Sequence, residues 1–299
     1  MIQTEMRHAY LLMAHNNVDQ LNLLLTTLDS EFSDIYLHID IKSEITEESI
    51  VTLTKSNLYF YKKMSVFWAD YSQVECEVFI LEQAIKRRYR YYHLLSGADF
   101  PLKTPQEIAY ILEKDNRIYL HFSTMENVQN TYDYVRYYHF FQKDLSIVNR
   151  GKQFSVFKVI NKICIITQKL LRVNRIQKNV QVKKGANWFS IPDDVAKYIL
   201  TKKEWINKNF KYTRSGDEFF LQTVLYNSDF CNRIYRLKED DGYESCLRHI
   251  DWKRGNPYVF QKEDYIELAN CRMFFARKFD LNKDKEIILI LMNKLLNNS

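Results

Sequence analysis

Glycine and proline are scarce in this chain, six and four among 299 residues. No Gly/Ser-rich or Pro-rich hinge can be drawn from so few, so the expectation is a single domain spanning 1–299. Cysteine is sparse and odd in number: Cys76, Cys164, Cys231, Cys246 and Cys271, never as a CxxC pair. Such a set argues against a disulfide framework or a zinc site and suits reduced thiols in the cytoplasm. No stretch of about 18 apolar residues occurs, and the apolar run in MIQTEMRHAYLLMAH is too short for a signal peptide. A membrane-spanning or secreted chain is not expected.

Several motifs are missing as well. Neither GxGxxG nor GxxxxGK[ST] is present, which removes the dinucleotide-binding and P-loop forms of α/β architecture. Of the nineteen Asp residues, no two are separated by one position, so the D-x-D grip on a divalent ion is lacking. No metal or other cofactor is expected, and the charge of an anionic leaving group would fall to Arg and Lys.

Acidic residues vanish altogether from Leu145 to Pro192, where ten Lys and Arg fall, among them Arg150, Lys152, Lys158, Lys162, Lys169 and Arg172. The net charge is +6, so the remainder carries 6 − 10 = −4. Concentration in one segment, 145–184, points to a local partner rather than to a broad nucleic-acid surface. Within it, 154–173 reads as a basic amphipathic helix. At about 100° per residue, Lys158, Lys162, Lys169 and Arg172 gather opposite Val156, Ile160, Ile163 and Leu170, with Ile165 the exception. That pattern fits either a membrane surface, here the inner face of the cytoplasmic membrane, or packing on the protein's own body with a solvated lysine face.

What is present reads as strands alternating with helices. His8 to His15, Asp34 to Asp40, Leu58 to Tyr61 and Tyr91 to Leu95 have strand character, with helices expected from Asn17 to Leu28 and from Gln73 to Lys86. A mostly parallel sheet covered on both faces follows. Ligands of such sheets bind at the carboxyl ends of strands, where His15, Asp40 and Asp99 fall; each alone also suits a turn or cap. Thr104, Pro105 and Glu107 make a capping box with a first-turn proline. Tyr132 to Phe141, with Arg136 and His139, suits sugar stacking or a packed aromatic loop. Ser215-Gly216-Asp217-Glu218 matches a capping box, yet Glu218 also suits a general base backed by the later cations Arg248 to Arg254 and Arg277-Lys278.

Ser96-Gly97-Ala98-Asp99-Phe100-Pro101-Leu102-Lys103-Thr104 resembles the signature of the core-2/I-branching glycosyltransferase family, which includes the peptide xylosyltransferases; bacterial members are the most similar. His8 to His15, His38-Ile39-Asp40, Trp68 to Ser72, Ser215 to Phe219 and Phe275 to Phe279 resemble it too, in order along the chain. The resemblance implies a GT-A-like fold, Rossmann-like in its mostly parallel central sheet, with a nucleotide half at 1–125 and an acceptor and catalytic half at 126–299. It implies inverting, metal-independent transfer from a UDP-sugar, N-acetylglucosamine or xylose. By position, Glu218 is similar to the catalytic base and Lys278 to the diphosphate-binding lysine. The companion arginine is expected at Arg254, with Arg248 or Arg277 open. His15, Asp40, Asp99 and Ser72 are expected at the nucleotide, and Trp252, Arg136 and Asp217 at the acceptor. The expected acceptor is a bacterial surface polysaccharide or lipooligosaccharide, free or on a lipid carrier. The rival from another class is a non-catalytic protein that binds nucleic acid or glycan through 145–184.

Overall fold

The computed structural model describes residues 6–151, 156–237 and 243–297. Lys152 and the start of the helix expected over 154–173 lie outside them, as does the side chain of Arg150. Strands β1 (His8–Ala14), β2 (Ser33–Ile39), β3 (Leu58–Tyr61), β4 (Tyr91–Ser96), β6 (Tyr119–Leu120) and β7 (Phe189–Pro192) form one sheet in the order β3-β2-β1-β4-β7-β6. The first four are parallel; β7 runs antiparallel to β4 and to β6.

Alternate residues of each strand feed two separate cores. Ala9, Leu11, Tyr92 and Leu94 face one, under α2 (Ser72–Ala84), α8 (Asp193–Thr201) and α10 (Phe220–Tyr226); Tyr10, Leu12, Tyr91 and Leu95 face the other, under α1 (Val18–Leu28), α3 (Pro105–Leu112) and α12 (Lys285–Asn297). Burial on both faces explains why these strands read as continuous apolar runs. The capping box of α3 forms as expected, Thr104 and Glu107 each accepting the other's backbone N–H.

A polar seam crosses the sheet. His8 Nδ1 meets His93 Nε2 at 2.9 Å, and His93 Nδ1 meets Ser190 Oγ at 2.7 Å. Burial drives His8 down to about 3 and His93 well below its ordinary range, so both rings are neutral at physiological pH. Arg248 Nη1 donates to the same Ser190 Oγ at 2.9 Å, which closes the seam.

A second, smaller sheet positions the site. β5 (Asp99–Pro101) pairs antiparallel with β9 (Phe275–Arg277), and β9 pairs parallel with β8 (Arg248–Ile250). From the sequence, Ser96 to Asp99 reads only as a bend. The strand that follows forms because a segment some 175 residues later supplies its partner, which no local pattern encodes.

The basic helix differs from expectation in the direction it faces. As α7 (Val156–Leu170) it turns Val156, Val159, Ile160, Ile163 and Leu170 to solvent, while Lys158, Lys162 and Lys169 border a cavity against the rest of the protein. Among the described residues, no helix is long and apolar enough to cross a membrane.

Candidate active site

Two adjoining cavities, of about 440 and 230 Å³, open over the carboxyl ends of β1, β2 and β4. Met13, Ala14, His15, Ser96 and Arg277 line both, so they form one continuous cleft. Asp40 lies in its wall. Burial raises the Asp40 carboxyl, but the Lys42 ammonium at 2.7 Å and the N–H groups of Lys42 and Val66 outweigh that and hold it below the usual range. An ionised acceptor is therefore in place at a strand end.

Arg277, the last residue of β9, and Lys278, just after it, come into this cleft. Arg277 Nη1 donates to Asp99 Oδ1 at 2.9 Å and to Ser96 Oγ, and its guanidinium lies over Trp188 at 4.8 Å. Asp99 is thus behind the arginine, 1% exposed, and fixes it rather than facing the cleft. Gln20 pins the same corner: its amide donates to the carbonyls of Gly97 at 2.9 Å and Phe279 at 3.1 Å, while its oxygen accepts from Leu281 N–H at 2.7 Å. Arg254 is placed elsewhere. Its guanidinium is held by Asp251, Asp264 and Glu267, outside the cleft lining. Arg248 is 1% exposed; besides Ser190 its Nη1 and Nη2 donate to the carbonyls of Cys246, Leu94 and Phe189, joining β4 to β7 as a structural cation.

Glu218 ends a short 3₁₀ turn, Gly216–Glu218, not the first turn of a regular helix. Ser215 adopts a left-handed φ of 51° and its side chain caps nothing, so the capping box suggested by the sequence does not form. With that duty removed, the Glu218 carboxylate meets Lys184 Nζ at 3.2 Å and is 40% exposed. The turn is locked from both sides. Ser215 N–H donates to Ala69 O at 2.9 Å, where Ala69 is itself left-handed with φ 61°, and Gly185 N–H donates to Glu218 O at 2.9 Å. Two non-glycine residues in that region, joined by one hydrogen bond, are strain held by the surrounding packing. Gly185 has no substitute: a Cβ there would lie 1.8 Å from the His121 carbonyl oxygen.

Next to the catalytic candidate lies a buried acid pair. Asp217 is pushed up to about 7 by burial and then by the Glu218 charge; Glu77 is raised well above its ordinary value by burial and then by Asp217. Gln73 donates to Asp217 at 3.2 Å and Asn187 to Glu77 at 3.3 Å, and both amides line the cleft. Glu77 Oε2 and Asp217 Oδ1 have no partner. Because the Glu77 value is raised, the folded chain keeps a proton that the unfolded chain loses above pH 4.5, so stability falls as pH rises from there toward the folded value. Glu77→Gln escapes that penalty. We expect the variant to gain stability over wild type by up to about 1.4 kcal/mol per pH unit in this window. Urea melts near about pH 5 and about pH 8 test this, and equal gains at both would refute the assignment.

The remaining sequence candidates are dispersed. Ser72 opens α2 and accepts from Phe67 N–H at 2.9 Å, shaping the Phe67 to Ser72 loop without lining the cleft. Arg136 lies over Tyr137 and donates weakly to Val173 O. Trp252 is half-exposed beside a different cavity, with Tyr243 and His121 stacked between it and the Gly185 segment. Sequence reasoning did not single out Gln20, Gln73, Asn187 or Trp188; lone amides and a tryptophan before a strand carry no spacing signal. Among the described residues, no group of three or more His, Cys, Asp and Glu is placed to hold a metal ion.

The family model for Core-2/I-Branching enzyme matches residues 8–269. The match covers the strands of the cleft and the Glu218 turn but stops short of Arg277 and Lys278, whose placement rests on the pairing of β9. No curated protein matches the chain.

Proposed function

Because the chain belongs to the Core-2/I-branching enzyme family, and is therefore a glycosyltransferase, we propose that it moves a sugar from a UDP donor to a glycan hydroxyl by inverting, metal-independent displacement. The donor sugar is N-acetylglucosamine, another hexose or xylose. The observation that carries the reading is the meeting of Arg277 and Lys278 at the carboxyl ends of β1 and β4; Glu218, released from capping, follows Asp217, whose partner Gln73 lines the same cleft.

In this scheme the uridine and ribose lie along His15 and Asp40, and the diphosphate faces Arg277 and Lys278. Glu218 takes the proton of the acceptor hydroxyl as its oxygen bonds to the anomeric carbon. The bond from that carbon to the diphosphate oxygen breaks on the opposite face, leaving UDP with the electron pair. Fixed cations aimed at charge that grows during the reaction are the most effective form of such help, since they need no reorganisation. Lys184 holds Glu218 in place until the acceptor arrives.

We place the enzyme at the cytoplasmic face of the membrane, in bacterial surface polysaccharide or lipooligosaccharide synthesis. The exposed apolar side of α7 supports this, in place of the lysine side that the sequence suggested.

The test is thermal unfolding with a panel of nucleotides and UDP-sugars, in EDTA and with added Mg²⁺ or Mn²⁺. UDP at about a hundredfold over its Kd adds roughly 2.7 kcal/mol, on the order of 5 °C for a chain of this size. A UDP shift that survives EDTA supports the proposal. No shift with any nucleotide overturns the donor assignment, and a shift that requires the metal overturns metal independence.

A further inference from the structure

A third cavity, of about 540 Å³, lies between α7, the start of α6 (Gln142–Gly151) and α5 (Asp133–Arg136). Trp68 lines both it and the donor cleft, so the two spaces meet at one indole. Its walls carry Lys158, Lys162, Lys169 and Arg214 against a single carboxylate, Asp133, which Lys169 already engages at 2.9 Å. Arg214 is four residues before Glu218, and the Ser215 to Ala69 hydrogen bond ties this wall to the Glu218 turn.

The floor adds a second requirement. His139 and Gln142 are buried, and each has a side-chain atom without a partner. Nε2–H of His139 is assigned as donor to the Asp133 carbonyl at 3.0 Å, with the ring kept neutral by burial, which leaves Nδ1 as an unmatched acceptor. The Gln142 amide nitrogen is an unmatched donor. A site of this kind suits a ligand that bears hydroxyls and also an anionic group. Its volume suits a small saccharide and not a polynucleotide track.

We propose that this cavity is the acceptor subsite and that its ligand is an anionic saccharide, a sugar carrying phosphate, which passes its free hydroxyl beside Trp68 to Glu218. The inference rests on the transferase reading and sharpens it: the acceptor stacks on Trp68, not Trp252. It also accounts for the absence of acids from α7, since a carboxylate there would repel the substrate.

The experiment titrates methyl galactoside 6-phosphate and its neutral parent, methyl galactoside, into the protein with UDP present, by calorimetry. The phosphorylated sugar should bind about tenfold tighter or more, the effect of one or two charge-assisted contacts. Lys158→Glu with Lys162→Glu, both at exposed positions of α7, should abolish that preference while the UDP thermal shift stays unchanged. Lys158→Arg with Lys162→Arg should retain it. A lipid-anchored sugar phosphate in zwitterionic vesicles, compared with the soluble probe, identifies the source by which of them shows the larger lysine-dependent gain. Equal affinity for neutral and phosphorylated sugars, or a preference that survives charge reversal, overturns the inference. A preserved UDP shift then leaves the donor assignment standing. Conversely, a lysine-dependent preference without any UDP response keeps the anion site and removes the donor reading.

Discussion

Glu218→Gln is expected to lower sugar transfer by roughly 10²- to 10⁴-fold while the protein still folds and is still stabilised by UDP. Gln matches the shape of the side chain and removes its charge and its ability to take a proton. The structural cost is small because Glu218 is not a cap: Ser215 makes no capping bond, and the turn is held through backbone groups of Ser215, Gly185 and Glu218 itself. What the substitution gives up is the pairing with Lys184, in which Glu218 is 40% exposed, so a loss of about 1 kcal/mol or less is expected. Single-turnover assays with the UDP-sugar panel separate chemistry from binding. Turnover within about tenfold of wild type would end the role of Glu218 as base. The rival is its neighbour. Asp217 has a value raised to about 7, but it is buried and bonded to Gln73, so it would have to move to reach a hydroxyl. Asp217→Asn should therefore cost far less than Glu218→Gln, and the reverse order would transfer the role to Asp217.

The sequence made the sheet legible because its central strands are buried on both faces and because α1 and α3 open on side-chain caps. Leu58–Tyr61 appears with the bounds expected, and β1, β2 and β4 differ by a residue or so at their ends. Thr104, Pro105 and Glu107 state their helix start in local chemistry, and it forms as written. Ser215 to Glu218 carries the same local pattern and fails to cap. There the turn answers to Ala69 and Gly185, residues distant in sequence, and local pattern has no access to them. The arginines show the same division. Arg248, Arg254 and Arg277 are alike in a list of cations, and only the pairing of Asp99 with Arg277 across β5 and β9 puts one of them in the cleft. Helix α7 was legible as amphipathic, but which side meets the protein depends on the cavity beside it. Of the two function classes that the sequence left open, the family match selects the transferase and leaves the binding protein without support.

Lys278→Ala is the second large effect, and it isolates leaving-group stabilisation better than any arginine change. Arg277 is coupled to structure: its guanidinium covers Trp188 and partners the 1%-exposed Asp99. Removing it would strand a buried carboxylate, a loss on the order of 3–5 kcal/mol that would confound any kinetic reading. Lys278 has its backbone secured by Tyr258 and Phe260, through bonds of 3.3 and 2.9 Å, so truncation of the side chain leaves the strand exit in place. Stability should change by no more than about 0.5 kcal/mol. In the proposed reaction the charge that the ammonium meets grows as the bond to the diphosphate breaks, so kcat should fall by roughly 10²- to 10³-fold, about 2.7–4 kcal/mol, and more than UDP affinity does. Lys278→Arg should recover part of the rate, because it restores the charge but spreads it over a planar fork on a stem of different reach. Equal losses in kcat/KM and in UDP affinity, with kcat unchanged, would mean that Lys278 binds the donor without favouring the transition state. An unchanged kcat together with an unchanged UDP shift would remove Lys278 from the site and leave Arg277 to carry the diphosphate alone.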